Sequence, residues 1–148
     1  MKVTADTNVL VRAITLDDDT QSPVAVDILR QAELVAVPVA ALCELVWVLT
    51  RGYGLTRADA ATAVRAVTQA SNVVTNTTAV GAGLAILDAG GDFADGVIAH
   101  DGERLGAETF VTFDRQAAHL LARTGLVTRN LEPTSSSDGL NPERGVET

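Results

Sequence analysis

The sequence predicts an α/β fold in which helices cover both faces of a mainly parallel sheet. Short segments rich in β-branched residues alternate along the chain with longer segments that carry helical spacing or helix caps. Glycine or proline separates most of these segments, as is typical of compact connections between strands and helices. This alternation favours parallel strands, because each crossover helix returns the chain to the same end of the sheet.

Five short segments are predicted strands because Val, Thr, Leu and Phe dominate them and turn residues bound them. In chain order they are residues 2–5, 34–37, 72–75, 109–113 and 127–128.

Six segments are predicted helices from their caps and their apolar spacing. Thr56 with Asp59 three residues later resembles a capping box, Thr77 or Thr78 is expected to cap the fourth helix, and glycine follows most of the helix ends. The predicted ranges are residues 22–33, 39–51, 56–70, 77–89, 92–105 and 114–123.

The composition predicts one globular domain followed by a tail. Of 148 residues 47% are apolar, and no apolar run reaches the roughly 18 residues of a membrane span. Residues 1–131 are expected to form the domain, and residues 132–148, rich in Ser, Pro, Gly and charge, a disordered tail. Met1 leads straight into a strand-like segment without a signal peptide, and Cys43 is the only cysteine, so we expect a cytoplasmic protein.

The net charge of -8 is unusual for a protein that meets nucleic acid, because phosphates favour basic surfaces. The distribution of charge reduces the conflict, since residues 132–148 carry a net charge of -3 and the four candidate acids discussed below carry most of the rest. We therefore expect weak non-specific binding of RNA rather than none.

Glu44 is the most informative acid, because it is the one charged residue between Val39 and Thr50. A carboxylate buried in so apolar a helix would cost several kcal/mol unless it were paired or bound to a metal. A salt bridge to Arg12 or Arg51 is the structural alternative.

Three aspartates complete the candidate site. Asp6 follows the first predicted strand and Asp114 the fourth, and ligands of open α/β sheets bind beyond the carboxyl ends of strands. Asp95 stands on an apolar stretch one turn after Asp92, which itself fits a helix cap. Capping alone is the structural alternative for Asp6 and Asp114.

An all-oxygen set of this kind suits a hard cation, Mg²⁺ or Mn²⁺. Zinc is disfavoured, because there is one cysteine and His100 and His119 lack ligand spacing. Trp47 and Tyr53 could stack on a base, although packing in the core or in a dimer is favoured.

Four segments in order resemble the motifs of PIN domains, and more narrowly those of VapC toxins from bacterial toxin–antitoxin pairs. The matching acids are Asp6 in DTN, Glu44 in LCELVWVL, Asp95 in DFADGVIA and Asp114 in VTFD. The resemblance covers about residues 1–131. Gly96 departs from it, because such chains often have Ala there, and should loosen its helix slightly.

The resemblance implies a three-layer α/β/α sandwich around a mainly parallel sheet, Mg²⁺-dependent endoribonuclease activity, a homodimer, and a small cognate antitoxin. Asp6 and Asp95 would be the principal metal ligands, with Glu44 and Asp114 as the other acids. Thr7, Asn8 and Thr112 would support them.

General chemistry agrees with this expectation, because a bound cation activates water and offsets charge on the scissile phosphate. Either one or two metals would serve. The arginines nearest to the acids in sequence, Arg12, Arg51 and Arg115, are candidates for contacts with RNA phosphates or ordinary solvated side chains.

Three other functions are alternatives. A phosphohydrolase with an aspartyl nucleophile would want Asp at position 8, where Asn8 stands, and a lysine other than Lys2. A metal-dependent DNase would use the same acids. A non-catalytic, regulatory RNA-binding PIN module would be expected to lack one of the four.

Overall fold

The computed structural model describes residues 1–133. The expected tail at residues 132–148 therefore lies almost wholly outside the described residues. Two compact units divide the chain, Met1–Ala107 and a second that begins at Glu108. Within residues 1–133, no helix is both long and apolar enough to cross a lipid bilayer.

Helices and strands alternate along most of the chain, as predicted. In order they are β1 (Lys2–Thr4), α1 (Thr7–Thr15), α2 (Gln21–Gln31), β2 (Leu34–Ala36), α3 (Val39–Trp47, continued by a π-helical turn at Val48–Gly52), α4 (Arg57–Gln69), β3 (Val73–Val74), α5 (Thr77–Asp88), α6 (Phe93–Arg104), β4 (Thr109–Thr112), α7 (Arg115–Arg123) and β5 (Val127–Asn130).

The first unit contains a three-stranded parallel sheet in the order β1-β2-β3. Val3 pairs with Val35, and Val35 pairs with Val73 on the other side. Because β2 is the central strand, Val35 is fully buried. The pairing confirms the predicted α/β class with parallel strands.

The core of this unit forms where apolar helix faces meet the sheet. On α3 the buried face repeats at Leu42, Leu45 and Leu49, the spacing that places side chains on one side of a helix. Phe93 of α6 is the largest fully buried side chain.

The second unit contains β4 and β5, which pair in parallel and are connected along the chain by α7. α7 is strongly amphipathic, and its buried side chains include Leu120 and Leu121. β5 extends to Asn130, two residues further than predicted.

Two local predictions need correction. The helix α1 had no predicted counterpart, although Asp6 caps it and Leu10 and Val11 are buried on one of its faces. The cap of α5 is Asn76, whose side chain accepts a hydrogen bond from the backbone N–H of Ala79, and not Thr77 or Thr78. Asparagine one position earlier competes successfully because it is among the best cap residues.

Candidate active site

Asp6 lies where β1 gives way to α1, at the carboxyl end of a strand as predicted. It is the N-cap of α1, and its Oδ1 accepts a hydrogen bond of 3.0 Å from the backbone N–H of Val9. The side chain is exposed, and Oδ2 has no hydrogen bond among residues 1–133. One carboxylate oxygen therefore fixes the helix while the other faces solvent.

Glu44 is exposed, which corrects the expectation that the apolar run around it would bury its carboxylate. The run forms one helix whose buried face is Leu42, Leu45 and Leu49, and Glu44 falls on the opposite stripe with Trp47. The carboxylate of Glu44 therefore carries no desolvation cost, and it is accessible to a ligand.

A hydrogen bond connects Glu44 to the start of α1. The hydroxyl of Thr7 donates to Glu44 Oε2 at 2.6 Å. Because Thr7 follows Asp6 directly, this contact brings the helix that carries Glu44 against the turn that carries Asp6. Glu44 takes part in none of the ion pairs found among residues 1–133, so the predicted alternative of a salt bridge to Arg12 or Arg51 is wrong.

Asp95 lies in the first turn of α6 and is partly buried. Asp92 is the N-cap of this helix, as predicted, and accepts a hydrogen bond from the N–H of Ala94 at 3.2 Å. Since α3 contacts both α1 and α6, the helices that carry or follow Asp6, Glu44 and Asp95 form one contiguous group within the first unit.

The half-buried thiol of Cys43 belongs to the same region. Burial raises the pKa of Cys43 to about 11, and the negative charges of Asp92 and Asp101 add to the effect. A thiol in this state is protonated at neutral pH and is a poor nucleophile or metal ligand. The state of this thiol therefore gives no support for a cysteine nucleophile at the site.

Asp114 belongs to the second unit, where it follows β4 and caps α7. Its Oδ1 accepts hydrogen bonds from the N–H groups of Gln116 at 2.9 Å and Ala117 at 3.1 Å. The N–H of Asp114 itself donates to the hydroxyl of Thr112 at 3.0 Å. Thr112 thus fixes the backbone of the turn from which Asp114 projects.

The three candidate arginines differ in their surroundings. Arg51 is exposed at the end of the π-helical turn. Arg115 forms an ion pair of 3.2 Å with Glu132, in which both side chains are largely exposed. Arg12 is held most firmly, because its Nη1 lies 3.1 Å from Asp17 Oδ1.

The surroundings of Arg12 were not predicted from the sequence. Its Nε donates to Gln21 Oε1 at 2.9 Å, and the hydroxyl of Tyr53 donates to Asp17 at 2.6 Å. The hydroxyl of Thr15 also donates to Asp17, and this hydrogen bond, followed by that of Tyr53, lowers the pKa of Asp17 to about 2. Asp17 therefore stays ionised and orients the guanidinium of Arg12.

The candidate acids offer the oxygen donors that a hard cation prefers. Within residues 1–133, no three Asp, Glu, His or Cys side chains converge closely enough to hold a metal ion in the arrangement seen. The oxygen chemistry of the candidate acids nevertheless fits Mg²⁺ or Mn²⁺. Asp6, Glu44 and Asp114 are exposed, and Asp95 is partly buried.

The family model of the PIN domain matches residues 3–122. The chain belongs to the PIN domain family. No curated protein matches it. Membership of this family supports nuclease activity. The parallel strands of both units are consistent with the α/β/α architecture of PIN domains.

Proposed function

We propose that this PIN domain protein is a divalent-metal-dependent endoribonuclease and the toxin of a VapBC-type pair. The family match together with the contact between Thr7 and Glu44 carries the proposal. That contact couples two motif acids, because Thr7 is the chain neighbour of Asp6.

Asp6 and Asp95 would be the principal ligands of Mg²⁺ or Mn²⁺, with Glu44 and Asp114 as further acids. When bound, such a cation activates water for attack on a phosphodiester and offsets the charge of the phosphate. The protein's own part is to present the oxygens. Asp6 presents Oδ2, because its Oδ1 accepts the capping hydrogen bond. Thr7 holds Oε2 of Glu44, and Oε1 of Glu44 remains open.

Asparagine variants separate the chemistry from the fold. Asn caps a helix as well as Asp does, so Asp6→Asn and Asp114→Asn keep α1 and α7 while removing a charged ligand. We expect each to lower the rate of RNA cleavage by more than about a hundredfold, since changes merely beside a metal ligand already cost 10–100-fold. Melting temperatures should stay close to wild type.

Asp92→Asn is the matched control, because Asp92 caps α6 one turn from Asp95. It should retain cleavage, whereas Asp95→Asn should lose it. Chelation by EDTA should stop the reaction, and added Mn²⁺ should restore it. Full cleavage in EDTA, or equal loss in Asp92→Asn and Asp95→Asn, would contradict the proposal.

RNA and DNA are distinguished in the same assay. Single-stranded DNA and RNA of one sequence should be compared, and we expect RNA to be the substrate. Preferential cleavage of DNA would assign the chain to the metal-dependent DNases. Binding of RNA without cleavage of either would assign it to the non-catalytic modules.

The toxin role rests on the accessibility of the acids. A planar guanidinium matches a carboxylate with two hydrogen bonds, so an antitoxin arginine could occupy the acids and exclude the cation. Expression of the chain alone should slow bacterial growth, and Asp6→Asn or the cognate antitoxin should relieve it. Toxicity that survives Asp6→Asn would contradict toxicity by cleavage.

A homodimer is part of the proposal. Trp47 is 64% exposed one turn from Glu44, and a large aromatic side chain so exposed is typical of an interface. Light scattering should give the mass of a dimer, and Trp47→Ala should shift the population toward monomer.

A further inference from the structure

The helices α1 and α2 flank a cavity of about 390 Å³ that is open to solvent, in the first unit. Asp6 lies at its edge, and the side chains of Val9, Val24 and Ala25 line it. Its volume falls within the range of natural small-ligand pockets. The cavity therefore adjoins the carboxylate proposed to hold the metal, yet no part of the cleavage chemistry uses it.

Two amides, those of Asn8 and Gln21, line the cavity beside the charged groups of Asp6 and Arg12. Gln21 Oε1 accepts a hydrogen bond from Arg12 Nε, which fixes the amide so that its NH₂ group remains as the donor. Asn8 is exposed, and its side-chain amide has no hydrogen bond among residues 1–133. Two amides with free donors and an apolar wall thus face one space.

This lining matches a nucleobase better than a phosphate. Amides read the donor and acceptor pattern on the edge of a base, and RNA-binding proteins hold unstacked bases against side chains in such pockets. The carboxylate of Asp6 at the edge repels a phosphate placed inside the cavity, whereas a neutral base meets no such repulsion. Arg12, the one cation that lines the cavity, is already paired with Asp17.

We propose that the cavity between α1 and α2 binds the nucleobase next to the phosphodiester that the enzyme cleaves. The proposal rests on the proposed function for its link to cleavage, because Asp6 lies at both sites. Binding of the base itself does not depend on a metal or on catalysis.

The first test is binding, without metal or reaction. The full isotope-labelled chain in EDTA is titrated to millimolar concentrations with adenosine, guanosine, cytidine or uridine, and in a separate arm with inorganic phosphate. At least one nucleoside should shift the NMR signals of Asn8, Gln21 and Val24. Val24→Trp, which fills the cavity from an exposed position, should abolish the shift.

The second test is the base preference of cleavage in a pool of random RNA sequences. Gln21→Glu keeps an acceptor for Arg12 but removes the amide donor, and should change the preference at one position beside the cut by about tenfold, the value of one hydrogen bond. The matched control is Gln31→Glu, the same change on an exposed residue of α2 that does not line the cavity. It should leave the preference unchanged.

Hydrolysis of bis(para-nitrophenyl) phosphate, which has no nucleobase, should be equal in wild type and the control Gln31→Glu. The proposal is overturned if no nucleoside shifts these signals, if phosphate alone does, or if Gln21→Glu leaves the base preference unchanged. If the chain binds a nucleoside but cleaves neither RNA nor the small diester, the proposed function is overturned and the binding of a base in the cavity still stands.

Discussion

Two pairs of helices in the first unit are packed in opposite ways. In the pair α5 and α6 the backbones nearly touch, because a Cβ at Gly96 would lie 2.4 Å from the carbonyl oxygen of Ala82. In the pair α1 and α2 the side chains leave a cavity of about 390 Å³. The pair α5 and α6 is thus packed backbone against backbone, whereas the pair α1 and α2 leaves open space between its side chains.

This comparison corrects the expectation that Gly96 merely loosens its helix. Glycine in a helix costs about 0.5–1 kcal/mol relative to alanine. Gly96 allows α6, which carries Asp95, to lie directly against α5, and on α5 a Cβ at Gly83 would lie 2.6 Å from the buried ring of Phe93. The glycines therefore serve close packing rather than local flexibility.

The largest expected effect follows from adding a methyl group between α5 and α6. Gly96→Ala forces its methyl group into the backbone of α5, and overpacking of this kind costs about 1–3 kcal/mol. We expect a lower midpoint of urea unfolding with an unchanged slope. Equal stability of Gly96→Ala and wild type would show that the two helices separate easily.

Two other glycines on the same helices should behave in the opposite way. A Cβ at Gly81 on α5, or at Gly102 on α6, meets nothing within 4 Å. Alanine should raise the free energy of unfolding by about 0.5–1 kcal/mol at each site, because only helix propensity changes. If both variants are destabilised, propensity is not the deciding property and the comparison fails.

The cavity between α1 and α2 should accept a larger side chain. Ala25 is buried and lines the cavity, so Ala25→Leu places its added carbons in existing space. We expect a change in the free energy of unfolding below about 1 kcal/mol, compared with the larger loss in Gly96→Ala. A loss as large as that of Gly96→Ala would show that the cavity closes in solution.

The smallest effect concerns the network that holds Arg12 at the cavity. The pKa of Asp17 is lowered from 3.8 to about 2 by hydrogen bonds from Thr15 and Tyr53. A carboxyl group with a lowered pKa in the folded state stabilises the fold above its unfolded pKa and loses that contribution as the pH falls through the folded value. Asp17→Asn should therefore be less stable than wild type above about pH 4, and the difference should shrink as the pH falls through about 2. A constant difference at all pH values would exclude ionisation of Asp17 as its cause.

Features that depend on neighbours in the chain were predictable. Thr56, Asp92 and Asp114 cap their helices as predicted, because a cap joins a side chain to an N–H only two or three residues away. The parallel sheet was predictable because strands and helices alternate. The same local signals are present for α1, where Asp6 precedes buried Leu10 by four residues, although no helix is predicted for the apolar run after Asp6.

Features that depend on distant residues were not predictable. The exposure of Glu44 follows from which face of α3 meets the core, and an apolar run of twelve residues hides that face. The contact of Thr7 with Glu44 joins residues 37 positions apart. The cavity depends on the spacing between α1 and α2, and no residue in the sequence encodes that spacing alone.

The positions of the candidate acids at helix N-termini have a consequence for the proposed binding of a metal. Asp6 and Asp114 are helix N-caps and Asp95 lies in a first turn, so three of the four acids sit at the positive end of a helix dipole. A negative charge there stabilises its helix by about 0.3–1 kcal/mol, whereas a cation at the same end meets the opposite field. Each acid thus stabilises its own helix without a cation, and a cation held as proposed by Asp6 and Asp95 would meet the opposing fields of α1 and α6. The proposed metal site would therefore favour loosely held, freely exchanging ions over permanent ones.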